Sequence, residues 1–163
     1  RSAFKNIRQI DSLSKKKVGI LGHSKGAYAA TIVNYDKTLN IDFLILIGSP
    51  TEWKGEWRKH KFKETRETIS EEIIYKNIII PTLFIGGKND TTSNMLSSFD
   101  LLTKLNNKAI DIKILDDLDH FLRIGNDEWK QTKDYSTLYE INRNASELIV
   151  NWIIDTEYNE NDH

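Results

Sequence analysis

The residues of this sequence best suited to chemistry lie in the pentapeptide Gly22-His23-Ser24-Lys25-Gly26, which follows a short apolar run and precedes a helical pattern. A serine in a G-x-S-x-G pentapeptide between a strand and a helix lies on a sharp, strained turn that lifts its hydroxyl out of the sheet. We expect bulky side chains at positions 22 and 26 to collide with the neighbouring chain. The pattern therefore predicts an accessible nucleophile at Ser24.

A serine hydroxyl needs a base to become a good nucleophile, and the base needs an acid to orient it. Asp90 and His120 each follow an apolar run further along the chain. Because the carboxyl ends of parallel strands meet at one edge of a sheet, we expect both side chains to lie near Ser24. The helix that begins near Lys25 would direct its N-terminal dipole at charge developing beside the serine.

Other residues could take the same roles. Glu52, after the second apolar run, is an alternative orienting acid, and His23 fits a packed residue of the turn better than a catalyst. Three acidic residues crowd His120 in the sequence, and we expect them to cap its loop or to stabilise its protonated form: Asp116, Asp117 and Asp119. His60 and His163 have no such neighbours, so we expect them on the surface.

The elements that must position these residues can be read from four apolar runs: residues 18–21, 43–47, 81–85 and 110–115. The middle two are almost continuously hydrophobic, which is typical of strands covered on both faces. Helical patterns separate the runs, so the sequence predicts an α/β fold with a parallel sheet of about four strands flanked by helices.

Helix boundaries follow from capping residues. We predict a helix over residues 3–13, a second one after Ser93 as its N-cap, and a last one that begins near Thr137 and ends at Asp155. Thr137 and Glu140 fit a capping box for the last helix, and residues 156–163 read as a frayed tail.

Residues 51–77 form a longer, more polar excursion between the second and third strands, with a helix signalled by Thr68 and Glu71. Its tryptophans, Trp53 and Trp57, either cover the edge of the sheet or line a pocket under a small cap. In the second interpretation they contact the substrate.

Length and composition narrow the class of protein. The 163 residues suit one domain, and the net charge of -1 leaves no basic field for nucleic acid. No apolar run approaches the length of about 18 residues that a membrane span requires, so we expect no span and a cytoplasmic protein. The absence of cysteine excludes a thiol nucleophile, and the lack of metal-ligand spacing predicts no metal and no cofactor.

The order Ser24, Asp90, His120 is the order of the catalytic residues in α/β-hydrolases, and residues 3–155 resemble the C-terminal half of that fold. The resemblance implies that Ser24 is the nucleophile, that His120 is the general base and later the acid, and that Asp90 orients His120. The backbone N–H of Lys25 would donate to the oxyanion. A small-molecule ester, thioester or amide would be the acyl substrate.

The sequence departs from the family in one respect. It supplies counterparts for the fifth to eighth strands of the family's sheet and lacks those that precede them, so we expect a single but truncated domain. The strand at residues 17–22 would then have an open edge that needs a partner. The N-terminal half of the fold or a second copy would supply it. Two alternatives remain: a non-catalytic, degenerate hydrolase and a serine-triad enzyme of another type, such as a carbon–carbon lyase or an acyltransferase.

Overall fold

The computed structural model describes residues 2–35, 37, 39–51, 70–131 and 140–158, with the side chains of residues 2, 3, 5 and 158 left aside. The elements in chain order are α1 (Ser2–Arg8), β1 (Ile20–His23), α2 (Lys25–Tyr35), β2 (Leu44–Ile47), α3 (Glu71–Lys76), β3 (Thr82–Gly87), α4 (Met95–Leu105), β4 (Ile110–Leu115), a short 3-10 helix (Glu128–Gln131) and α5 (Arg143–Tyr158).

The strands form one parallel sheet in the order β1-β2-β3-β4. Leu44 pairs with Ile20 on one side and with Thr82 on the other, which sets the register of β2 against both of its neighbours. The α/β fold predicted from the apolar runs is confirmed. The strands are shifted slightly from those runs, since β1 begins at Ile20 and continues to His23.

Helices cover both faces of the sheet and create two hydrophobic cores. On one face the sheet packs against α2, α3 and α4, and this core includes Ala27, Leu44, Leu46, Tyr75, Phe84, Phe99 and Leu102. On the other face it packs against α5, and this core includes Ile45, Ile47, Leu83, Ile85, Ala145, Ile149 and Trp152. The side chains of β2 alternate between the two cores, which explains why its sequence is continuously hydrophobic.

Two predicted helix starts are wrong. Helix α4 has Asn94 at its N-cap in place of Ser93. Helix α5 begins at Arg143, where the side chain of Asn142 accepts hydrogen bonds from the N–H groups of Asn144 and Ala145. An asparagine that caps through its own carbonyl oxygen makes the predicted capping box unnecessary. Glu140 precedes the helix, and its predicted partner, Thr137, lies outside the described residues.

The helix ends also differ from the prediction. Helix α1 ends at Arg8 and turns follow it, whereas the pattern predicted a helix to residue 13. Helix α5 continues to Tyr158, past the predicted end at Asp155. Part of the predicted tail is therefore helical, and residues 159–163 lie outside the described chain.

Within the predicted excursion at 51–77, the structure describes Thr51 and residues 70–77. Helix α3 begins at Glu71, one of the two predicted signals, and the Ser70 hydroxyl caps it by accepting from the N–H of Ile73. Glu52, Trp53 and Trp57 lie outside the described residues. In the part of the chain that is described, no helix is both long enough and apolar enough to cross a membrane.

Strand β1 lies at one edge of the described sheet. It pairs with β2 on one side, and no described strand lies on the other. The side chain of Leu21, in the middle of β1, is 56% exposed. β1 is thus an edge strand of the described sheet, the feature expected from the sequence at residues 17–22.

Candidate active site

Ser24 lies on the sharp turn between β1 and α2. Its φ of 54° is in the left-handed region, which L-residues other than glycine rarely adopt. The N–H of Ser24 donates to the carbonyl of Ile47 at 2.8 Å, and the carbonyl of Ser24 accepts from the N–H of Tyr28 at 3.2 Å. The first bond ties the turn to the end of β2, and the second begins helix α2. Both hold the backbone in its strained conformation.

The two glycines of the pentapeptide have different roles. A Cβ at Gly22 would lie 2.6 Å from both the N and the Cα of Ala27, so a side chain there would collide with the start of α2. A Cβ at Gly26 would meet no described atom within 4 Å. The prediction that both positions exclude side chains is correct for Gly22 and wrong for Gly26, because Gly26 lies on the exposed side of α2.

Asp90 and His120 form a buried hydrogen-bonded pair at the carboxyl edge of the sheet. His120 Nδ1–H donates to Asp90 Oδ2 at 2.8 Å, and the two side chains are 4% and 0% exposed. The other oxygen of Asp90 accepts from the backbone N–H groups of Thr92 and Ser93 at 2.8 and 3.0 Å. Both carboxylate oxygens are therefore occupied, which fixes the orientation of the acid relative to the imidazole.

Ser93 and Gly48 complete the surroundings of the His120 ring. The hydroxyl of Ser93 donates to the carbonyl of Gly48 at 2.9 Å and lies 3.2 Å from His120 Nδ1. Gly48 follows β2 and has a φ of 55°. A Cβ at Gly48 would lie 3.2 Å from His120 Nδ1 and 3.4 Å from Asp90 Oδ2, so only a glycine leaves the ring this close to the backbone.

His23, the residue before Ser24, links the turn of Ser24 to the loop of His120. His23 Nε2–H donates to the backbone carbonyl of His120 at 2.8 Å, and the centroids of the two rings are 4.7 Å apart. Among the described residues, no hydrogen bond joins the Ser24 hydroxyl to the ring of His120. Catalytic hydrogen bonds are often long or misaligned in a free enzyme. Lys25 is the first residue of α2, directly after the serine.

His23 is a half-buried residue of the turn that contacts the neighbouring loop, as the sequence favoured. Burial lowers its pKa below the ordinary value of 6.5, and the hydrogen bond to the His120 carbonyl opposes this only partly. The neutral imidazole is therefore the form that fits this place.

Asp127 is a residue that the sequence did not single out. It is 3% exposed, and it accepts from the backbone N–H of His120 at 2.9 Å and from the indole N–H of Trp129 at 3.1 Å. It also accepts from the N–H and hydroxyl of Thr91 at 2.9 and 2.8 Å and from Lys130 at 3.0 Å. Asp127 thus joins the loop of Asp90 to the loop of His120.

The pKa of Asp127 reflects this network. Burial alone would raise it, but the hydrogen bonds from His120, Thr91, Lys130 and Trp129 outweigh burial and hold the pKa well below its ordinary value of 3.8. Nothing distinctive in the sequence indicated this role for Asp127, which simply lies seven residues after His120.

Of the acidic residues beside His120, Asp119 caps its loop. Asp119 Oδ1 accepts from the N–H groups of Phe121 and Arg123 at 2.9 and 3.0 Å. Asp116 lies further away and pairs with Lys88 at 3.2 Å. No group of side chains in the described residues could hold a metal ion.

Comparison with solved structures shows the fold. A meta-cleavage product hydrolase of Pseudomonas fluorescens matches with a TM-score of 0.55 and 13% identity over 90% of this chain and 68% of its own. A dienelactone hydrolase of Anabaena variabilis matches with a TM-score of 0.57 and 16% identity over 94% of this chain and 56% of its own. The chain has the α/β-hydrolase fold.

A serine hydrolase involved in carbazole degradation has the same α/β-hydrolase fold and matches with a TM-score of 0.57 and 13% identity, over 86% of this chain and 64% of its own. Each of these proteins is longer than the present chain, which spans between 56% and 68% of their lengths. No family model matches the sequence, and no curated protein matches it.

Proposed function

We propose that this protein is a serine hydrolase that cleaves an ester, thioester or amide by acyl transfer, with Ser24, Asp90 and His120 as its catalytic residues. The observation that carries the proposal is the buried hydrogen bond between Asp90 and His120, 2.8 Å long, beside a serine held at a φ of 54°. Similarity in fold to several hydrolases supports the same reaction class.

In the proposed mechanism, His120 keeps its proton on Nδ1, where the N–H donates to Asp90. Nε2 is therefore the basic nitrogen. Nε2 takes the proton of the Ser24 hydroxyl while Oγ attacks the substrate carbonyl. The tetrahedral intermediate collapses, its carbon–leaving-group bond breaks, and His120 returns the proton to the leaving group. Water then attacks the acyl-serine by the same route, which releases the acid and restores Ser24.

The backbone N–H of Lys25, at the start of α2, is our proposed donor to the oxyanion. A donor of this kind often contributes about 3 kcal/mol of transition-state stabilisation. We also propose Trp53 and Trp57 as contacts of a small-molecule acyl group, on the grounds of their place in the sequence between β2 and α3.

The direct test is covalent labelling with a fluorophosphonate probe, which reacts with an activated serine. We expect wild-type protein to be labelled, Ser24→Ala to remain unlabelled, and mass spectrometry to find the adduct on Ser24. Ser146→Ala is a matched control, because Ser146 bonds only within its own helix α5. Labelling that survives in Ser24→Ala, or a wild-type protein that folds and stays unlabelled, would contradict the proposal.

A second candidate is a non-catalytic module that associates through the open edge of β1. The observation that favours it is the 56% exposure of Leu21 on a strand with one described neighbour. In either candidate we propose that the occupant of this edge is a strand of the N-terminal half of the same fold, since this chain spans only part of the neighbours. Reaction with the fluorophosphonate probe would exclude the non-catalytic candidate. A dimer in sedimentation that depends on Leu21 would show that the edge of β1 is occupied by a second copy and not by an N-terminal strand.

A further inference from the structure

The inference concerns Ser93 and rests on the proposed function. Ser93 is 6% exposed, and its hydroxyl lies between the carbonyl of Gly48 and the ring of His120. The sequence predicted it as the N-cap of α4, but Asn94 holds that position, so the Ser93 hydroxyl is not used by the helix.

The direction of its hydrogen bonds follows from the donors available. The Gly48 carbonyl can only accept, so the single hydroxyl proton of Ser93 is directed to it at 2.9 Å. The lone pairs of Oγ are then left to face His120 Nδ1 at 3.2 Å. A nitrogen that faces a lone pair of Ser93 and a carboxylate oxygen of Asp90 must carry the proton.

We propose that Ser93 is a positioning residue that, with Asp90, keeps the proton of His120 on Nδ1 and the ring in its catalytic orientation. Asp90 approaches Nδ1 from the loop after β3, at 2.8 Å, and Ser93 supplies the second acceptor at its side. Rotation of the ring about χ2 would take Nδ1 away from both Asp90 Oδ2 and Ser93 Oγ. Nε2 therefore remains the unprotonated nitrogen that the proposed mechanism requires.

The backbone around Ser93 supports this geometry. Its own N–H donates to Asp90 Oδ1 at 3.0 Å, so the acid and the serine are held in a fixed relation. A Cβ at Gly48, whose carbonyl accepts from the Ser93 hydroxyl, would lie 3.2 Å from His120 Nδ1, so this backbone leaves no room for a side chain beside the ring. Loss of the hydroxyl leaves the Gly48 carbonyl buried without this donor and gives the ring one acceptor in place of two.

The first experiment is nitrogen-15 NMR of the His120 ring in the 163-residue chain, at a pH where the ring is neutral. We expect wild-type protein to have Nδ1 protonated and Nε2 bare, and Ser93→Ala to have a measurable share of the opposite tautomer or exchange-broadened ring signals. Identical ring signals in the two proteins would overturn the inference. This result does not depend on hydrolytic activity, so it separates the inference from the proposed function.

The second experiment compares kcat and KM on an activated ester. We expect Ser93→Ala to lose kcat by roughly 3- to 10-fold with KM unchanged, the size of one hydrogen bond in the transition state. Ser93→Thr keeps the hydroxyl and should recover most of the loss, whereas Ser93→Val should not. Ser97→Ala is the control on the same helix, because Ser97 contacts Asn94 and not the site.

Threonine and valine have nearly the same shape, so equal activity of these two variants would overturn the inference in favour of packing alone. If the wild-type chain neither hydrolyses the ester nor reacts with the fluorophosphonate probe, the proposed function is wrong. The NMR comparison still decides the role of Ser93 in that case.

Discussion

At the residue scale, hydrogen bonds hold both the ring and the backbone of His120. Asp90 accepts from the ring Nδ1–H, Asp127 accepts from the backbone N–H, and His23 donates to the backbone carbonyl. A base held in this way loses little entropy when the reaction begins. Asp90 is the group that binds the ring itself, so its substitution should have the largest effect.

Asp90→Asn should lower kcat by about 10⁴-fold with little change in KM, because an amide leaves the tautomer of His120 unfixed. The measurement is ester hydrolysis under saturating substrate. Asp100→Asn, an exposed position on α4, should retain wild-type activity. If the kcat of Asp90→Asn were within tenfold of the wild-type value, Asp90 would not be the orienting acid. Glu52 would then be the alternative that the sequence offers.

His23 makes the stability of the protein depend on pH. Its pKa is lowered in the folded state, so the unfolded chain binds a proton at about its ordinary value of 6.5 while the folded chain stays neutral. The free energy of unfolding should therefore fall as the pH drops below 6.5 towards the folded pKa. Urea unfolding of His23→Gln, which keeps an N–H donor, should show a flatter dependence across this range. Parallel curves for the two proteins would contradict the assignment.

The placement of the candidate residues at the carboxyl edge of the sheet was largely predictable. Ser24, Asp90 and His120 follow strands, and the strand ends of a parallel sheet must converge. Asp127 and Ser93 were not predictable in these roles, since their partners come from loops whose conformations no local pattern specifies. Ser93 even carried a misleading signal, because serine is a common N-cap.

At the element scale, the turn between β1 and α2 is the critical connection. Gly22 lies against the backbone of Ala27, whereas Gly26 has open space on the exposed side of α2. Two alanine substitutions in one pentapeptide should therefore have opposite effects.

Gly22→Ala should destabilise the protein by about 2 kcal/mol or more, because its Cβ must displace backbone atoms. Gly26→Ala should be neutral or stabilising by about 0.5–1 kcal/mol, because alanine is the better helix former. Chemical denaturation checks both values, and circular dichroism checks that the fold is retained. Equal losses from the two changes would contradict this description of the turn.

The loops of Asp90 and His120 depend on Asp127 as a shared anchor. Its pKa is lowered in the folded protein, so its stabilising effect is complete above the ordinary value of 3.8 and is lost as the pH falls below it. The free energy of unfolding of the wild type should drop steeply below about pH 5. Asp127→Asn should have a lower free energy of unfolding at neutral pH and should lose less of it as the pH falls. Asp100→Asn, at an exposed position on α4 outside this network, is the control.

Element types were predictable because β2 and β3 are hydrophobic on both faces and because the helices have clear apolar stripes. Helix ends were harder to predict. Asn142 caps α5 through its side-chain oxygen, and an asparagine is as good an N-cap as the serine or threonine of a capping box. Either signal was acceptable locally, and tertiary packing selected one.

At the scale of the whole molecule, the described sheet ends at β1, and this strand carries the turn of Ser24 at its carboxyl end. The sequence predicted the open edge from the family resemblance, and the exposure of Leu21 is its physical counterpart. What would pair with this edge was not predictable, because the residues of β1 expose backbone groups without specifying which strand meets them.

Leu21→Lys should reduce any self-association without reducing the stability of the monomer, because the side chain is already exposed. Sedimentation velocity over a range of concentrations measures the first effect and urea unfolding the second. Ile114→Lys, an exposed residue on the opposite edge strand β4, is the matched control. If Ile114→Lys dissociates the protein and Leu21→Lys does not, the associating edge is β4.

The end of β2 has a consequence of another kind. The carbonyl of Ile47 accepts from the N–H of Ser24, and the carbonyl of Gly48 accepts from the Ser93 hydroxyl beside the ring of His120. Any fluctuation that opens the end of this strand would displace Ser24 and the surroundings of His120 together. We therefore expect the amide hydrogens of Ser24 and Gly48 to exchange with solvent in a single cooperative opening, at a rate that also sets how fast the proposed site is lost on mild denaturation.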